Sequence, residues 1–167
     1  MKTRTILYAS ISFLTVLFFS CKKESGNAPI QILLTDKPAT YDSVNVHIVG
    51  MEVKISNESW IPIHVKDSTY NLLDLQNGIT TVLALDTIPV GVLQEVRFIL
   101  GNGNYCVVNG TAYPMETPSA DDSGLKVKIN KPLNETLNSF VLDFDASLSV
   151  QEENGAYKLH PVIQLRP

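Results

Sequence analysis

Apolar residues recur at every second position through most of this chain. Ile30, Ile32 and Leu34 fall on one face of an extended segment, Ile61, Ile63 and Val65 on another, and Phe140, Leu142 and Phe144 on a third. That is the period at which side chains of a β-strand alternate between core and surface. From Val44 to Ile55 the pattern changes phase at Gly50. Val44, Val46 and Ile48 share one parity, and Met51, Val53 and Ile55 take the other. One extra residue at a glycine returns the apolar face to the core after a kink, so a β-bulge is predicted at Gly50.

Turn chemistry punctuates these runs at Asn77-Gly78, Pro89-Val90-Gly91, Gly101-Asn102-Gly103 and Asn109-Gly110. Asn109-Gly110 suits a two-residue hairpin turn, in which both residues need positive φ. Later strands are predicted over Leu125 to Ile129, Ser139 to Asp145 and Tyr157 to Leu165. Pro161 lacks the ladder donor, so the last of these must be an edge strand or break there. Only Asn77 to Leu85 hints at helix, with Ile79, Val82 and Leu83 at helical spacing. Many short strands and at most one short helix predict an all-β domain, an antiparallel β-sandwich of roughly seven to nine strands.

The amino end has a different character. Lys2 and Arg4 precede an apolar tract from Ile6 to Phe19, which stops at Ser20-Cys21-Lys22-Lys23. A basic start, an apolar run and a small residue before a cysteine resemble a bacterial lipoprotein signal. The tract is shorter than the roughly 20 residues that cross a bilayer. In that reading residues 1–20 are a cleaved signal peptide, and Cys21 is the lipidated first residue of the mature chain. Residues 21–28, polar and without apolar periodicity, form a tether, and 29–167 a single domain. The expected location is the cell envelope, with the domain held outside the cytoplasm by acyl chains in a bacterial membrane, the outer one favoured.

A cut before Cys21 leaves 147 of 167 residues, enough for one core. The chain carries −4, and losing Lys2 and Arg4 makes the remainder −6, which argues against a nucleic-acid partner. After Cys21 only Cys106 remains, so stability rests on packing and not on a disulfide. Cys106 lies in the apolar run Tyr105-Cys106-Val107-Val108, where a thiol behaves as a small hydrophobe.

Few residues suggest chemistry. Asp143 and Asp145 alternate onto one face of a strand, and with Asp36 at the end of another they are candidate ligands for calcium. The competing reading makes these carboxylates solvated or turn-capping. A glycosidase would need its pair in a cleft, which the pattern does not offer. His47, His64 and His160 lie on three separate strands without zinc-site spacing. There is no GxSxG elbow and no phosphate-cradling loop before a helix. Trp60, directly after a turn, is the candidate aromatic contact for sugar. Tyr41, Tyr70, Tyr105 and Tyr113 are better read as packing. Asp42-Ser43-Val44, Asp67-Ser68-Thr69 and Asp86-Thr87-Ile88 look like the short O-glycosylation sequences of Bacteroidetes envelope proteins.

Several stretches taken in order carry a wider likeness. They are Leu34 to Val44, Tyr70 to Gly78, Val96 to Gly101, Thr117 to Lys126, Leu142 to Ser147 and His160-Pro161-Val162-Ile163. Together they resemble the family catalogued as domain of unknown function 4382, found in secreted and lipid-anchored prokaryotic proteins. The resemblance implies an extracytoplasmic single β-rich domain, with no agreed activity and no catalytic residues to carry over, and the expected sandwich is of transthyretin-like or immunoglobulin-like form. Leu93 stands where similar proteins have an aromatic residue.

The expected function is therefore a non-enzymatic, lipid-anchored cell-envelope protein that displays a binding module for carbohydrate or another envelope protein. The competing readings are a fimbrial or adhesin-like subunit and, behind it, a hydrolase assembled across loops. No cofactor is expected beyond the candidate calcium.

Overall fold

The computed structural model describes residues 26–56, 58–117 and 124–167. The signal segment, Cys21 and most of the tether lie outside them, as do Asn57 and residues 118–123. The strands run β1 (Asn27–Thr35), β2 (Ser43–Ile55), β3 (Trp60–Ile63), β4 (Ser68–Asn71), β5 (Thr81–Pro89), β6 (Val92–Leu100) and β7 (Tyr105–Val108). They continue as β8 (Thr111–Glu116), β9 (Leu125–Pro132), β10 (Asn138–Phe144), β11 (Val150–Glu153), β12 (Ala156–Leu159) and β13 (Ile163–Leu165). Among the described residues one helical turn, α1 (Ala146–Ser149), and one 3₁₀ turn, Leu72–Leu75, accompany them.

Two sheets enclose the core. The smaller has the order β13-β10-β1-β5, and the larger is organised on β2. One edge of β2 pairs with β6 and β7, the other with β3 and β4. The sheet extends to β9 through β6, and to β8, β12 and β11 through β7. Ile30, Ile32, Leu34, Leu142 and Phe144 of the small sheet and Val44, Val46, Ile48, Val53, Val96 and Phe98 of the large one are fully buried in one cluster. Strand alternation thus becomes a dry layer between two pleated surfaces.

The all-β, sandwich-like fold agrees with the sequence reading, with three differences of detail. Both sheets are mixed, because β1 pairs in parallel with β10 and β12 with β8. Thirteen strands form among the described residues, more than the predicted seven to nine, because several are only three or four residues long. The first strand opens at Asn27, ahead of the predicted boundary at Pro29, because Asn27 pairs with Pro89 and Ala28 is already buried.

The bulge at Gly50 is present: the β2–β6 register shifts between Ile48 and Gly50, and both apolar parities reach the core. Asn109 and Gly110 have φ of 50° and 76° and join β7 to β8 as a tight hairpin. At Pro161 the predicted strand breaks and changes layer, since β12 belongs to the large sheet and β13 to the small one. The helical hint over Asn77 to Leu85 is wrong, because Thr81–Pro89 is a strand with a bulge set by its partner β1. The β1–β5 register slips between Ile32 and Leu33, which pair with Ala84 and Val82 and leave Leu83 as an extra residue. Leu83 and Ala84 are both buried, so period two is broken and the run imitates helical spacing.

Candidate ligand-binding face

Asp36, Asp143 and Asp145 converge at one end of the small sheet, all of them buried. Asp36 accepts from the Ala146 N–H at 2.8 Å, and Asp145 caps α1 by accepting from the Leu148 N–H at 3.0 Å. The charge is met by Lys37 Nζ, 3.1 Å from Asp145 Oδ2 and 3.8 Å from Asp143 Oδ2, and by Arg166 Nε, 3.3 Å from Asp143 Oδ2. The capping role is therefore observed, whereas solvation is not. Burial raises the Asp36 pKa to about 6, against the lowering effect of its hydrogen bonds to Ala146 and Gln76. Among the described residues no group of three His, Cys, Asp or Glu side chains has the geometry of a metal site. Lysine and arginine take the place in which the sequence suggested calcium.

The histidines do not meet. His47 Nε2 lies 2.6 Å from Asp67 Oδ1 and its Nδ1 3.0 Å from the Asn102 carbonyl oxygen, and these contacts raise its pKa. Asp67 is largely exposed and the pair stands at the surface, where His47 fastens the 101–103 turn to β2. His64 is exposed on a different segment, and His160 lies 3.7 Å from Glu153. The Cys106 thiol is buried, and burial raises its pKa, which keeps it protonated and unreactive. Tyr41 donates to the Val150 carbonyl, and Tyr113 packs on Tyr157 with ring centres 4.9 Å apart.

Trp60 is half-buried and lies on the outer face of the large sheet, among cations. The Arg97 guanidinium carbon is 4.5 Å from the ring centre, and Lys54 Nζ and Lys126 Nζ are each 5.9 Å from it. The registers explain the gathering. Lys54 stands opposite both Trp60 and Glu95, and Glu95 opposite Lys128. In the neighbouring row Glu52 stands opposite Arg97 and forms an ion pair with it, and Arg97 stands opposite Lys126. Four cations thus share this surface with two carboxylates, on a chain whose balance is acidic. Beside them is a shallow depression of about 310 Å³ lined by Lys54, Gln94, Glu95, Lys128 and Asn130.

One face of the indole is covered by Arg97, so Trp60 is not the bare stacking platform expected for a neutral sugar. Cation–π contacts of this kind contribute about 0.5–1 kcal/mol each at exposed sites and hold the charges in place. The arrangement is suited to an anion, which can bridge Lys54, Arg97 and Lys126. Lysines on an edge strand such as β9 also discourage pairing with other sheets. That role accounts for Lys126 and Lys128 but gives no reason for a tryptophan under an arginine.

Arg97, Lys54, Lys126 and Lys128 escaped the sequence reading because they come from three strands. Only the period-two lysines of Leu125-Lys126-Val127-Lys128 hint at a charged face. No curated protein and no solved structure matches the chain. A family model does match, over residues 27–161, which is the whole sandwich as far as the break between β12 and β13. The chain belongs to the family described as Domain of unknown function (DUF4382).

Proposed function

We propose that this is a cell-envelope lipoprotein, held to a bacterial membrane through acylated Cys21, whose sandwich is a non-catalytic binding module. Its recognition surface is the Trp60 face, and its ligand is an anionic envelope glycan. The anchor is supported by the basic start, the short apolar tract and the cysteine that follows it. The ligand class is supported by one observation above all: three cations stand within 6 Å of a single indole ring, on an outward face. Carboxylated, sulfated or phosphorylated sugars offer both the charge for the cations and apolar ring edges for the exposed part of Trp60.

Glycan-array binding of the purified protein tests this reading. Acidic glycans are expected to bind and neutral ones not, with affinity falling as salt rises. The Lys54→Ala/Arg97→Ala double variant should lose tenfold or more, each tenfold being about 1.4 kcal/mol. Unchanged binding in the double variant, or a preference for neutral sugars, overturns the ligand assignment. Cys21→Ala should release the protein from membranes, and continued membrane fractionation of that variant overturns the anchor.

A further inference from the structure

The outer face of the small sheet contrasts with the Trp60 face in carrying almost no charge. Val82, Leu33 and Val141 form one row across β5, β1 and β10, and Leu85, Gln31 and Ser139 form the next. Val82 and Leu85 are 48% and 63% exposed, unusual for large aliphatic side chains on a strand. None of the six residues is charged. The face runs into a groove of about 520 Å³ lined by Pro132, Val141, Leu165, Lys131 and Arg166 among others, and of its two cations Arg166 is also paired with Asp143.

We propose that this face lies on the lipid bilayer, with Val82, Leu33, Val141 and Leu85 against the acyl boundary and with Lys131 and Arg166 meeting lipid phosphates. The inference rests on the lipid-anchor reading above and adds an orientation to it. Two features of the chain argue for that occupant. Cys21 is five residues before Gly26, a reach of at most about 18 Å. The first described residues lie beside this sheet, where the Gly26 carbonyl accepts from the Val90 N–H at 3.0 Å. Gln31, at the centre of the face, is only about 17 Å further along β1. An acyl group on Cys21 thus keeps this sheet, of the two, beside the membrane. An uncharged, largely aliphatic surface with Lys131 and Arg166 at one edge is compatible with the boundary layer of an anionic bilayer. The charged Trp60 face, on the other sheet, then points away from the lipid.

Trp60 is the only tryptophan, which makes the test direct. The full acylated protein is reconstituted in phosphatidylethanolamine–phosphatidylglycerol vesicles with plain or brominated acyl chains. Wild-type emission should be the same in both. In Trp60→Phe/Leu85→Trp, and independently in Trp60→Phe/Ser139→Trp, emission should fall by about half in brominated vesicles, because an interfacial face sinks roughly 5–10 Å. If both relocated tryptophans are unquenched although the protein floats with the vesicles, the orientation is overturned and the anchor stands. Quenching of Trp60 itself overturns it equally. Failure to float overturns the anchor, and this docking with it.

Discussion

The carboxylate of Asp36 accepts a hydrogen bond from the backbone N–H of Ala146, 110 residues away, at 2.8 Å. It ties the end of β1 to the first turn of α1. Because burial raises its pKa from 3.8 to about 6, the folded protein holds a proton that the unfolded chain has already lost. The contribution of this group is greatest below about pH 4, declines as pH rises towards about 6, and stays low above that. Asp36→Asn keeps the acceptor for Ala146 and removes the charge, so urea unfolding should show a flatter stability profile between pH 4 and 7. Asp36→Ala leaves a buried N–H unsatisfied and should cost about 1–3 kcal/mol at every pH.

His47 gives a second dependence in a higher window. Its bonds to Asp67 and to the Asn102 carbonyl raise its pKa above 6.5. Its contribution is complete below the unfolded value and is lost as pH rises through the folded one. An NMR titration of the His47 ring should show that raised midpoint, and Asp67→Asn should return it towards 6.5. An unchanged midpoint would mean that Asp67 does not hold the ring in solution.

Gly124 enters β9 with φ of 62°, and a Cβ there would lie 2.6 Å from Arg97 Cγ and 2.7 Å from the Phe98 carbonyl oxygen. Gly124→Ala should therefore cost about 1–3 kcal/mol in chemical denaturation. It should also move Arg97 off the indole, shifting the Trp60 emission spectrum, whereas alanine at Gly155, whose Cβ meets nothing within 4 Å, should leave that spectrum unchanged.

Phe98 and Phe144 face the core from opposite layers, both fully buried. Alanine at either should destabilise by about 3–5 kcal/mol in denaturant titrations, through lost burial and an unfilled cavity. A loss below 1 kcal/mol at both would contradict a single shared core.

Most of this architecture is readable from local pattern. The phase change at Gly50, the alternation of β1 and β10, the Asn109-Gly110 hairpin and the break at Pro161 each depend on a few adjacent residues. What escaped depends on distant ones. Leu83 was misread because its bulge is defined by the slip against Ile32 and Leu33 of another strand. The ion pairs of Asp143, read from sequence as a candidate calcium ligand or a solvated or capping carboxylate, were not visible because neither Lys37 nor Arg166 is near it in sequence. Trp60 was noticed, but its cations come from β2, β6 and β9, and only the pairing register reveals that they converge.

The position of β1 has a mechanical consequence. It lies between β10 and β5 and is hydrogen-bonded along both edges. A pull on its amino end acts along the strand axis, across ladders that lie roughly perpendicular to it. Both rows must then slide and fail together instead of opening one bond at a time. A domain leashed at that end would resist shear from flowing fluid or a tugging partner far better than one leashed through a peripheral strand.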